Sequence, residues 1–186
     1  MATNREKVRV QIFWEGRDAL SRWYAYANRS PQLYGHVILA SDEYTDVIRK
    51  VPAGFETALS HTICILLKWA ERYKAPGCLP VFYRLNIAAE QFRVHLVPVS
   101  PQEVTEATAS LTTRIPKQAG NKGGFLHYLG RREHLADKRD AAFREVEGDE
   151  EATQRLMEDG GIPTLIKQLR TIAAGTEEAS IFPSSV

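Results

Sequence analysis

The sequence predicts an α+β fold, a twisted and mostly antiparallel sheet packed against one long helix and followed by a helical C-terminal extension. Three observations carry this. Residues 81–98, VFYRLNIAAEQFRVHLVP, alternate on either side of Ala89-Glu90, the period-2 pattern of two half-buried strands. Residues 53–73 repeat Phe55, Leu59, Thr62, Ile63, Leu66, Ala70 and Tyr73 at helical spacing, a stripe suited to cover a sheet. Beyond Pro98 the chain becomes charged and helix-favouring.

Taken in order, residues 7–14 alternate with Val8, Val10, Ile12 and Trp14 on one face and read as a strand. Residues 16–27 read as a short aromatic helix whose Trp23, Tyr24 and Tyr26 belong to the core. Asn28 to Pro31 is a turn, residues 34–40 are a buried strand, and Ser41-Asp42-Glu43 is a loop or helix start. The helix at 53–73 follows, with His61 off its stripe and on the surface, and Pro76-Gly77 ends it. Pro101 to Val104 opens a short helix. Residues 125–147, 150–158 and 163–173 are helical, separated by Gly148-Asp149 and Gly160-Gly161. The domain plan is a core over 1–114, a Gly/Lys-rich connector over 115–124, a helical extension over 125–173 and a frayed tail over 174–186.

At 186 residues the chain suits one domain with a sizeable core, and 44% hydrophobic with 25% charged residues is ordinary globular composition. At a net charge of +1 nothing marks a global nucleic-acid or membrane binder, so any cationic site is local. Cys64 and Cys78 are too far apart for a CxxC pair, and their spacing to His61 suits no metal, so neither metal nor cofactor is expected. Cys64 reads as a buried helical thiol and Cys78 as a small turn residue. His127 and His134 lie near one helical face without an acid pattern, and the glycines of 115–124 fit no P-loop. The N-terminus has no apolar leader core, and no run approaches the ~20 apolar residues of a membrane span. A soluble, cytoplasmic protein is the expectation.

Pairing the two central strands around Ala89-Glu90 sets Ile87 against Phe92, Leu85 against Val94 and Tyr83 against Leu96. The other face then sets Ala88 against Gln91, Asn86 against Arg93 and Arg84 against His95. Arg84, Asn86, Gln91, Arg93 and His95 form a cationic cluster without an acid, which suits a phosphate. A solvated sheet face would read the same way.

Residues 31–98 resemble the histidine triad (HIT) superfamily of nucleotide hydrolases and transferases. The resemblance rests on Arg84 to Ala89 (RLNIAA), Gln91 to Pro98 (QFRVHLVP) and the Gly35-His36-Val37-Ile38-Leu39 strand. It implies a HIT-like sheet and helix, a nucleotide ligand and a homodimer. In that family the middle histidine of the triad attacks the α-phosphate and the last one helps to hold it. Here the last position is His95 and the nucleophile position is Arg93. A guanidinium stays protonated and has no lone pair, so it binds phosphate but does not attack it. The loop before the triad is also cut to little more than Ala89-Glu90.

Three readings follow. The first is a HIT-like protein that binds a nucleotide or another phosphorylated ligand on the Arg84/Asn86/Gln91/Arg93/His95 face and lacks the usual phosphohistidine step. There a protonated His95 donates to phosphate, so affinity rises as pH falls through its pKa. The second is a nucleoside polyphosphate hydrolase or nucleotidyl transferase in which His95 is catalytic, its pKa lowered by the arginines. The third is a protein–protein interaction module without a small ligand, built on the charged helices between Arg131 and Arg155.

Overall fold

The computed structural model describes residues 3–44, 51–83, 91–112 and 124–180, with side chains for 3–43, 51–81, 92–107 and 135–176. Five strands form one sheet: β1 (Ile12–Glu15), β2 (Trp23–Ala27), β3 (Val37–Tyr44), β4 (Leu79–Tyr83) and β5 (Gln91–Val99). Their order is β1-β2-β3-β5-β4, and every neighbouring pair is antiparallel. The helices are α1 (Asn4–Lys7), α2 (Phe55–Tyr73), α3 (Pro101–Thr112), α4 (Gly124–Glu145), α5 (Glu150–Asp159) and α6 (Ile162–Ser180). This is the predicted α+β class.

One face of the sheet carries the main core. Trp23, Ala25, Val37, Leu39, Phe92, Val94 and Leu96 pack there against Ile65, Leu66 and Trp69 of α2 and Leu165 and Leu169 of α6. The chain therefore covers this face with two helices, the second drawn from the far C-terminal end. Gly35 leads into β3 at φ 89°, and a Cβ there would lie 2.4 Å from the Trp69 ring and 2.8 Å from Pro98. Only glycine combines that backbone angle with that approach.

The opposite face is buried too. Ile12, Tyr24, Tyr26, Ile38 and Ala40 make one cluster, and Leu33, Val97, Val99 and Ala107 make another under α3. A solvated sheet face is thus excluded over these residues. α3 begins with a reciprocal cap, in which the Glu103 backbone N–H donates to Ser100 Oγ (3.2 Å) and the Ser100 N–H to Glu103 Oε2 (2.8 Å).

Several sequence expectations need correction. Residues 7–14 are not one strand. Thr3 and Glu6 form a capping box that starts α1, a 3-10 turn spans Arg9–Gln11, and only Ile12–Glu15 is extended. Residues 16–27 are not a helix, because Trp23–Ala27 is a strand with every residue buried. A strand covered on both faces shows an apolar run instead of alternation, so period alone misreads it. Ser41, Asp42 and Glu43 continue β3, their charges met by Arg5 (2.7 Å to Asp42) and Arg22 (2.6 Å to Glu43).

On α2 the buried residues are Ala58, Thr62, Ile65, Leu66, Trp69 and Ala70, while Tyr73 is exposed. The arc is turned towards α6, which no local periodicity contains. Cys64 is exposed rather than buried. His61 is half-buried, with its ring stacked on Trp14 at 5.9 Å. α6 runs to Ser180, past the point where a tail was expected, because Ala173 and Thr176 remain buried against the core side. Residues 115–123 of the predicted 115–124 connector and the final six residues lie outside the described residues, and Gly124 opens α4.

Candidate functional site: a histidine pair and an arginine on one sheet face

β5 alternates as its sequence predicts, with Phe92, Val94 and Leu96 buried in the main core and Arg93 and His95 half-buried on the other face. Its register with β4 differs from the expectation by one residue. Phe82 faces Leu96 and Tyr83 faces His95, where Tyr83 against Leu96 and Arg84 against His95 were predicted. The reason lies at the start of the strands. Val81 faces Val97 and packs into the cluster under α3. The second buried face thus takes the very residue that alternation assigned to the first, and a one-residue shift exchanges every side. Arg84 and Asn86 lie outside the described residues, and Gln91 is placed by its backbone alone, opposite Tyr44.

The residue that sequence reasoning left out of the site is His36. It is buried (1% exposed), sits just before β3, and its Nε2 lies 2.9 Å from His95 Nδ1. The register explains the meeting: Ile38 opposes His95, so His36 is the diagonal neighbour on the same face. Its backbone is held on both sides, the carbonyl accepting from Asn28 N–H (3.0 Å) and its own N–H donating to the Leu33 carbonyl (3.1 Å). The signal was present in the Gly35-His36 pair, but nothing in a linear reading says which strand lies alongside.

The hydrogen bonds assign the protons. The Ser30 backbone N–H donates to Asn28 Oδ1 (3.1 Å), which turns the amide nitrogen of Asn28 towards His36 Nδ1 at 3.3 Å. That nitrogen is also 3.5 Å from His36 Nε2, the longer of its two approaches. The Gln32 backbone N–H donates to the same Nδ1 at 3.3 Å. A backbone N–H only donates, so His36 Nδ1 is the acceptor and the ring proton sits on Nε2. His36 Nε2 therefore donates to His95 Nδ1, and the proton of neutral His95 is left on Nε2.

Both rings are neutral near pH 7. Burial, followed by the neighbouring His95, lowers His36 to about 3. Burial, followed by the charge of Arg93, lowers His95 to about 4. A histidine that must protonate to bind phosphate would therefore act only well below neutral pH, which moves the expected pH dependence to the acid side. The neutral tautomer supplies an N–H without protonation.

Arg93 is positioned from the N-terminal helix. Its Nη2 donates to Asn4 Oδ1 (2.9 Å), and Asn4 Nδ2 donates to the Tyr24 hydroxyl (2.9 Å). Tyr24 stacks on Tyr26 at 5.9 Å. Burial raises the Tyr26 pKa, with Arg93 acting in the opposite direction. The face thus combines a permanent cation with a neutral ring whose donor orientation is set. Both groups are hydrogen-bond donors, and only Arg93 carries a permanent charge. Attack through His95 Nε2 would require the opposite tautomer, because the His95 lone pair at Nδ1 already accepts from His36. Among the described residues no group of three or more His, Cys, Asp or Glu gathers as a metal site, and no helix is long and apolar enough to cross a membrane.

The class these features define is an α+β protein with an antiparallel sheet, one face of which carries a histidine pair and an arginine. No protein-family model matches the chain, and no curated protein matches it. Among solved structures, the chain is similar to a Hit-like protein involved in cell-cycle regulation from Bartonella henselae, crystallised with an unknown ligand. The match is 11% identical, covers 72% of this chain and 89% of that one, and has a TM-score of 0.40.

Proposed function

We propose that this is a HIT-like protein that binds a nucleotide or another phosphorylated small molecule on the sheet face of Arg93 and His95, without the phosphohistidine step. The observation that carries the reading is the His36–His95 contact at 2.9 Å beside Arg93 on the same strand. Its tautomer chain leaves His95 as a donor, and Arg93 occupies the position where a nucleophile would need a lone pair. Gln91, Arg84 and Asn86 belong to the same proposed site. A homodimer and a cytoplasmic location belong to the same reading, because the resemblance implies the first and the sequence suggests the second.

Calorimetric titration of ADP against wild type and Arg93→Ala tests the reading. Loss of a charge-assisted contact should cost about 1–3 kcal/mol, roughly tenfold or more in affinity. Equal affinities would reduce Arg93 to a structural partner of Asn4. Affinity should stay level across neutral pH and change only near the low His95 pKa of about 4. Turnover of a dinucleoside polyphosphate that disappears in His95→Gln would replace binding with catalysis.

A further inference from the structure

We infer that residues 3–8 form a positioning clip for Arg93, closed by Arg5 and linked to Arg93 through Asn4. The inference deepens the reading of the Arg93/His95 face and rests on that reading for its use. The register puts Tyr24, Ala40 and Arg93 in one row across β2, β3 and β5. The two polar ends of the row flank a small residue, and Asn4 bridges them. Its Oδ1 accepts from Arg93 Nη2 and its Nδ2 donates to the Tyr24 hydroxyl, both at 2.9 Å. A guanidinium only donates, so Arg93 fixes which end of the amide faces it. This acceptor is uncharged, so it orients the guanidinium and adds no opposing charge.

A single helical turn does not hold itself in water. α1 spans only Asn4–Lys7, so its place on the sheet comes from its contacts. The capping box of Thr3 and Glu6 is internal to the turn, whereas Val8 and Arg5 attach it to the sheet. Val8 packs against the cluster that contains Tyr24 and Tyr26. Arg5 donates to Glu15 on β1 (2.9 Å), to the Ser21 carbonyl ahead of β2 (3.2 Å) and to Asp42 on β3 (2.7 Å). Its guanidinium also lies 5.2 Å from the centre of the Tyr24 ring. One side chain thus ties the turn to three separate segments. Asn4 and Arg5 are adjacent on that turn, so anchoring Arg5 places Asn4, and placing Asn4 aims Arg93 along the face it shares with His95.

Nitrogen-15 NMR of the full chain tests the clip without a ligand, through the rate of rotation about the Arg93 Nε–Cζ bond. A guanidinium held at Nη2 rotates slowly. Asn4→Ala should speed the rotation roughly tenfold, the equivalent of one hydrogen bond to a charged group. Asn4→Asp keeps the Oδ1 acceptor and should rotate as slowly as wild type. Arg5→Gln should speed the rotation by a factor similar to that of Asn4→Ala, although the bonds it removes go to Glu15, Ser21 and Asp42. Glu15→Gln/Asp42→Asn should do the same while leaving α1 itself unaltered, and it decides alone if Arg5→Gln does not fold. A wild-type rate in Asn4→Ala, in Arg5→Gln or in the double variant overturns the inference, as does fast rotation in Asn4→Asp. ADP titrated in parallel separates the two readings. No binding by wild type would remove the anion reading, while the rotation rates would still decide the clip.

Discussion

The two faces of the sheet are both buried, but one is filled by apolar packing and the other is tied together by directed polar contacts. On the α2/α6 face, Trp23, Leu39, Leu96 and Trp69 belong to one large cluster. On the other face, small apolar clusters flank a chain of hydrogen bonds through Asn28, His36 and His95, and a second through Tyr24, Asn4 and Arg93. The first face tolerates any close-packed solution of the right volume. The second is satisfied only when each donor meets its acceptor. That difference separates a face specified by volume from one specified by directed contacts, and the proposed site lies on the second.

The largest effect that tests this comparison is expected on the apolar face. Trp69→Ala removes a fully buried ring that contacts Tyr34 and donates to Gln168 (2.9 Å). It should cost about 3–5 kcal/mol in urea unfolding. A loss under ~1 kcal/mol would mean that α2 and α6 close over the gap, and that the face is less tightly specified than its burial suggests.

The polar face should show itself through pH. The unfolded histidines take up protons below their ordinary pKa of 6.5, whereas folded His36 and His95 stay neutral down to about 3 and about 4. Stability from this pair is complete above 6.5 and is lost as pH falls from there towards the folded values. The loss should be on the order of 3 kcal/mol for His95 alone. Urea midpoints measured through that window should fall less steeply in His95→Gln than in wild type. Parallel profiles in the two proteins would remove the buried neutral pair from the account.

The smallest effect belongs to neither face. Arg155 and Glu151 pair one helical turn apart on α5, both largely exposed. Glu151→Ala should cost no more than about 0.5 kcal/mol, and less at high salt. A larger loss in thermal unfolding would show that α5 contributes more than a solvated surface turn.

Much of this architecture was legible in the chain. The long α2, the alternation of β5 and the placement of Arg93 and His95 opposite Phe92 and Val94 follow from local periodicity, because a strand or helix shows its buried side at its own repeat. The breaks at Gly148-Asp149 and Gly160-Gly161 follow from backbone preference. Other features were set by what the elements meet. β2 read as a helix because two faces cover it, and the β4–β5 register moved by one because α3 gives Val81 and Val97 an apolar partner on the far side. His36 joined the site because β3 lies beside β5, a pairing of residues 59 positions apart. Local sequence encodes which side of a segment is apolar. Which second element covers that side, and therefore which polar residues are pressed together and which proton each ring keeps, is decided only when the sheet and its helices close.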